Sequence, residues 1–114
     1  PKAIGPYSQA IQSGSLLFVS GVMPIDPTTN TLVENTIEAQ AKQVMKNIDG
    51  VLKAAGYTVD DVVKTTCFLS DINNFAAFNE VYGNYFTSKP ARSCMAVKDL
   101  PKAALVEVEV IANK

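Results

Sequence analysis

Histidine is absent from the 114 residues, and that absence excludes more chemistry than any other feature of the composition. Imidazole-based zinc sites and Ser–His or Cys–His nucleophile pairs cannot be built. The two cysteines, Cys67 and Cys94, are too few for a disulfide framework or a cysteine-only zinc site. A local excess of one charge is also missing. Ten basic residues against eleven acidic ones give a net charge of -1, and the densest pair is Asp60–Asp61. Nucleic-acid binding leaves a clustered basic footprint, and there is none, nor a polybasic membrane patch. No apolar run approaches the ~20 residues of a membrane-spanning helix. No signal peptide is read at the start, although the chain opens on Pro1, and a cytoplasmic protein is expected. Catalysis, if any, has to run on carboxylate, hydroxyl, thiol, arginine, lysine or backbone groups.

What is present describes one ordinary globular domain over residues 1–114, with 47% hydrophobic and 18% charged residues. A chain of this size buries roughly 65% of its unfolded surface, enough to fold but with little margin, so association would help it. "YSQAIQSGSLLFVSG" predicts a hairpin from Tyr7 to Ser20 around a Ser13–Gly14 turn. "MPIDPTTN" (Met23 to Asn30) reads as a loop. Asn35 or Thr36 can cap a helix ending at Gly56, in which Ile37, Ala41, Val44, Ile48, Val51, Leu52 and Ala55 form a buried stripe. Lys42, Gln43, Lys46, Asn47, Asp49 and Lys53 take the opposite side. "VVKTTCFLS" (Val62 to Ser70) suits a strand buried on both faces. A second helix follows, capped within Asp71 to Asn74, with an aromatic stripe of Phe75, Phe78, Tyr82, Tyr85 and Phe86 that reads as core. "RSCMAV" and the alternating "ALVEVEVIA" complete a β-β-α-β-α-β-β order, an α+β fold with two helices on one face of a mixed sheet. Val106, Val108, Val110 and Ala112 would meet the helices. The other face carries Leu105, Glu107, Glu109 and Ile111, a mixture that suits an oligomer interface with an embedded polar site.

Few polar residues are candidates for function. Arg92 and Cys94 stand two apart on one strand and share a face. The arginine fork matches a carboxylate with two parallel hydrogen bonds, and Glu107 could move protons or hold a water. The competing reading is a structural ion pair between Arg92 and Glu107 or Glu109 on adjacent strands. Cys94 can be a small apolar filler, and Tyr7 can bury its ring with its hydroxyl on a carbonyl. Ser20 before Gly21 can be turn chemistry, though glycine there also lets a ligand approach the backbone. Asn79 lies beside the aromatic stripe and can equally be helix surface.

Taken in order, "IGPYSQA", "VSG" with the following proline, "FNEVYGNYF", "PARSCMAV", "LPK" and "VEVEVIA" resemble the Rid, or YjgF-type, family of reactive enamine and imine deaminases. The resemblance runs through the whole chain. It implies a chorismate-mutase-like fold and a homotrimer with active sites in the clefts between subunits. It also implies hydrolysis of 2-imino acids such as 2-iminobutanoate and 2-iminopropanoate to 2-keto acids and ammonia, without metal or other cofactor, which protects pyridoxal-phosphate enzymes. Matched position by position, Arg92 is the carboxylate-binding arginine and Glu107 the residue that activates water. Tyr7, Ser20 and Asn79 line the pocket, while Cys94 and Gly21 face the substrate with their main chain. Two departures stand out. The family carries a longer lead before "IGPY", forming an edge strand, and "FTSKPAR" is shorter than in several relatives, which would alter the pocket rim.

Two further readings compete with the enzyme. One is a non-catalytic trimer that senses small carboxylate metabolites, for which Arg92 would also serve. The other, RNA cleavage with inhibition of translation, is disfavoured by the missing basic cluster and the missing histidine.

Overall fold

The alternation in "VEVEVIA" decides how the two faces of the sheet are used. In the computed structural model, which describes residue 3 and residues 5–114, this segment lies in β7 (Val106–Asn113). Its Val106, Val108, Val110 and Ala112 are all buried beneath helices, as the pattern predicts. Ile4 of the "IGPYSQA" block lies outside the described residues.

β7 is the centre of a five-stranded sheet. The hairpin β1 (Ala10–Ser13) and β2 (Leu16–Val22) pairs antiparallel with it on one side, and β5 (Val62–Leu69) antiparallel on the other. The edge strand β6 (Ala91–Ala96) runs parallel to β5, giving the order β1-β2-β7-β5-β6. The hairpin begins at Ala10 and not at Tyr7. Its turn residues are Gly14 and Ser15 rather than Ser13 and Gly14, because Ser13 pairs with Leu16. Gly14 has φ 61, a conformation glycine takes without a steric penalty. Met23 to Asn30 is also not all loop. It holds β3 (Ile25–Asp26), which pairs with β4 (Thr31–Leu32) in a separate small sheet.

Helix α1 (Ile37–Ala54) starts where Thr36 accepts a hydrogen bond from the Ala39 N–H at 3.2 Å. Beyond its end Gly56 adopts φ 83. Of the expected stripe, Ile37, Ala41, Val44, Ile48 and Leu52 are buried, whereas Val51 and Ala55 are half-buried at its margin; each of the larger buried side chains contributes about 1.5–3 kcal/mol. Asn47 departs from the reading as solvent face. It is buried, and its amide donates to the carbonyls of Met23 (3.1 Å) and Ile25 (2.8 Å), tying β3 to the helix.

Helix α2 (Phe75–Tyr85) is the crossover between the parallel pair β5 and β6. Phe78 and Tyr82, together with Phe86 just past its end, are buried, whereas Phe75 is exposed and Tyr85 half-buried. Strand β5 is likewise buried on one face only. Thr65, Cys67 and Leu69 lie under the helices, while Thr66 and Phe68 are half-buried on the open face. The open face had to be left uncovered by a chain that places both helices on one side. It carries exposed Ile11, Phe18 and Met95 beside the half-buried Phe68, Glu107 and Ile111.

Candidate functional site

The register places Arg92 beside Thr65 and Cys94 beside Cys67, so both point to the helix-covered face. There the half-buried guanidinium of Arg92 lies 4.7 Å from the ring centre of Tyr82 and 5.6 Å from that of Phe75. Its Nη1 donates to the side-chain oxygen of Asn79 at 2.7 Å. Phe75, Asn79 and Tyr82 recur at helical spacing on one face of α2, which is the sequence signal that would have found this platform. The aromatic stripe is therefore core at Phe78 and Phe86 and a seat for the arginine at Phe75 and Tyr82. The alternative ion pair with Glu107 or Glu109 does not form. Among the described residues the one ion pair is Lys53–Asp49 at 2.8 Å. A guanidinium offers five N–H donors, so a carboxylate arriving at Arg92 meets an un-neutralised cation already fixed in place.

The main chain of β6 adds to this cluster. Val97 donates its N–H to the Leu69 carbonyl at 2.8 Å. By the alternation of a parallel ladder, Arg92, Cys94 and Ala96 then turn their N–H and C=O groups toward the free edge. The thiols are poor nucleophiles. Burial pushes Cys67 up to about 12 and also raises Cys94, against the opposing pull of the Arg92 charge.

A second cluster forms around Glu107. Strand β2 is irregular between Val19, which pairs with Val110, and Val22, which pairs with Val108. Two residues, Ser20 and Gly21, thus stand against the single Glu109, a β-bulge of the kind that re-aims groups at a site. Gly21 does not need a glycine backbone, since its φ is not positive. It needs glycine for space. A Cβ there would overlap Oε2 of Glu107 and sit 2.8 Å from its Cδ. Ser20 donates its hydroxyl to the Ser8 carbonyl at 2.6 Å and its N–H to the Gln9 carbonyl at 2.9 Å. The bulge thereby holds the bend that carries Tyr7. Tyr7, Ser20, Gly21, Met23, Pro101 and Glu107 line one open cleft of about 210 Å³. The Glu107 carboxyl is half-buried, and burial first, then the repulsion of Glu109, holds it above the usual carboxylate range.

Of the residues singled out from the sequence, the structure therefore brings Tyr7, Ser20, Gly21 and Glu107 together, and separately Asn79, Arg92 and Cys94. It does not bring the two groups together. Glu107 pairs with Phe68 on the open face, whereas Arg92 pairs with Thr65 on the helix face. Strand β5 intervenes, so two interstrand steps, about 10 Å, and the sheet itself separate them. What one chain offers is an edge that carries the Arg92 cation and, elsewhere, a cleft lined by the Glu107 carboxyl.

This fold, two helices on one face of a mixed sheet, is of the chorismate-mutase-like α+β class. The chain belongs to the Endoribonuclease L-PSP family, also called the YjgF, Rid or RutC family, whose sequence model matches residues 1–114. A RutC family protein of Pyrococcus horikoshii is 53% identical over 115 residues, covering 100% of this chain and 91% of the relative. The crystal structure of YyfA from Yersinia pestis, of the Rid protein family, has a TM-score of 0.96 at 55% identity, covering 100% of this chain and 92% of that one. The crystal structure of E. coli TdcF with bound serine gives 0.95 at 40% identity, with 100% and 92% covered. No described helix is long and apolar enough to cross a membrane.

Proposed function

We propose that the protein is a homotrimeric imine deaminase whose active site forms between subunits, with the Arg92 edge of one facing the Glu107 cleft of the next. The observation that carries this reading is the separation itself. A fixed, un-neutralised arginine and a half-buried carboxylate with a raised pKa lie on opposite faces of one sheet, and a second copy is the simplest way to bring them together. The serine bound to TdcF supports a small amino-acid-like ligand in a site of this kind.

In this mechanism Arg92 grips the carboxylate of a 2-imino acid while outward main-chain groups near Cys94 line its other side. Glu107 takes a proton from water as the water oxygen bonds to the imine carbon, and the C=N π electrons pass to nitrogen. Glu107 returns that proton to nitrogen, which gives the carbinolamine; it then carries the carbinolamine hydroxyl proton to the same nitrogen, and as the C=O forms the C–N bond breaks, releasing ammonia and leaving the 2-keto acid. A raised pKa makes Glu107 a stronger base than an ordinary carboxylate, which suits it to both transfers. An imine carbon is already electrophilic, so position and local charge are sufficient help. Tyr7, Ser20, Gly21 and Asn79 shape and support the two halves.

The test generates 2-iminobutanoate with a threonine dehydratase and traps it with semicarbazide. The protein is expected to drain the imine before it is trapped. A protein that leaves the trapped product unchanged, yet binds 2-oxobutanoate, would be a carboxylate-sensing trimer instead.

A further inference from the structure

The loop that leads into β6 holds a second cation in a conformation its backbone does not favour. Lys89 has φ 56, a left-handed geometry that glycine or asparagine takes far more readily than lysine. Pro90 follows, and a proline biases the residue before it toward extended backbone instead. The Lys89 N–H closes the turn by donating to the Phe86 carbonyl at 3.1 Å, a bond that any residue but proline could make. The backbone therefore has no use for a lysine here. Strain of this kind accompanies side chains that have a function.

Lys89 is exposed, and with Arg92 it lines one cleft of about 400 Å³, between walls made by Tyr82, Phe86 and Pro90. The size is that of a small-molecule site. No carboxylate lines this cleft, and neither cation is closed into an ion pair among the described residues. Two un-neutralised cations on one cleft, in a chain of net charge -1, repel each other and together attract an anion. Arg92 is already assigned to the carboxylate beside the imine carbon. The Lys89 ammonium is left for a second anionic group on the same ligand. Such a group needs a cation of its own, because the other half of the proposed site carries Glu107 with Glu109 close enough to repel it.

We infer that Arg92 and Lys89 form a two-point anion subsite: Arg92 holds the carboxylate next to the imine, and Lys89 holds the terminal carboxylate of a dicarboxylic 2-imino acid. The imine rests on the deaminase reading, whereas the pairing of two cations for two carboxylates does not need it. Lys89 selects the ligand and takes no part in proton transfer.

The experiment measures binding of 2-oxoglutarate and 2-oxopentanoate by calorimetry. The two acids have the same chain length, and only the first ends in a carboxylate. Wild type is expected to bind 2-oxoglutarate more tightly by about fivefold, with the advantage shrinking at high salt. Lys89→Asn should erase the preference, leave 2-oxopentanoate unchanged and hold or raise the melting temperature, since asparagine accepts the left-handed backbone. Lys89→Arg should keep the preference, and Arg92→Ala should abolish binding of both acids. Equal binding of the two by wild type, binding of neither, or a preference that Lys89→Asn leaves in place overturns the subsite. So does 2-oxoglutarate affinity that survives Arg92→Ala, or a Lys89→Asn protein that loses both acids together with its melting temperature. The same variants are then compared by kcat/KM on 2-iminoglutarate and 2-iminopentanoate, made in situ by an amino-acid oxidase. No hydrolysis, with a Lys89-dependent preference in binding, keeps the subsite and removes the deaminase. Hydrolysis with no Lys89-dependent preference does the reverse.

Discussion

Arg92 is positioned by three side chains of α2: Asn79 fixes one end of its fork and the rings of Phe75 and Tyr82 support its plane. In the proposed mechanism, replacing it with alanine removes a charge-assisted grip on the substrate carboxylate, which should cost about 2–5 kcal/mol in kcat/KM. The fold should persist, because the guanidinium is not closed into a buried ion pair. Near-normal activity of Arg92→Ala in the semicarbazide assay would remove it from the mechanism. Gly21→Ala asks a different question. Its Cβ must push the Glu107 carboxylate aside, and a misplaced base should lower kcat/KM by about 100-fold with little change in the melting temperature. Equal rates for Gly21→Ala and wild type would show that the carboxylate need not sit where it does. At this scale the sequence was partly legible. Spacing of two put Arg92 and Cys94 on a common face, but only the pairing with Thr65 and Cys67 says which face. The tight seat of Glu107 on Gly21 has no signature short of the folded register.

Among the elements, α1 and β7 declare themselves through strong periodicity, 3.6 in one and 2 in the other, and both are observed close to their expected bounds. Strand β5 reads from its sequence as buried on both faces but is covered on one, because Val, Thr and Phe suit a half-covered strand as well as a covered one. Asn47 is buried against expectation: a polar residue on a helix is ordinarily solvent-facing, and its partners, Met23 and Ile25, lie in a segment that reads as loop. Asn47→Ala should destabilise the protein by about 1–3 kcal/mol by leaving those carbonyls without their donor. Urea unfolding checks this, and an unchanged midpoint would mean that water replaces the amide. Strand β7 also carries the electrostatic prediction. Glu107 titrates high through burial first and Glu109 second, so activity needing ionised Glu107 has its acid limb above the usual carboxylate range. Glu109→Gln removes the repulsion and should move that limb of the kcat/KM profile to lower pH. A shift to higher pH, or none, would contradict the assigned cause.

For the whole molecule, a chain with ten basic and eleven acidic residues and both helices on one side leaves an apolar, partly charged sheet face open. That face was legible from the Leu105, Glu107, Glu109 and Ile111 alternation. The division of the candidate site was not, because it depends on strand order: β5 separates β6 from β7, and nothing local in "PARSC" or "VEVEV" encodes that insertion. In the proposed mechanism Arg92 and Glu107 act on one substrate from two copies. Mixing unfolded Arg92→Ala and Glu107→Gln chains in equal amounts and refolding them together tests this sharing. Each variant alone is expected to be inactive, whereas random assembly restores both intact residues in about a quarter of the intersubunit sites. Recovery of about a quarter of wild-type activity is the predicted result. A co-refolded mixture as inactive as its parents would contradict a shared site.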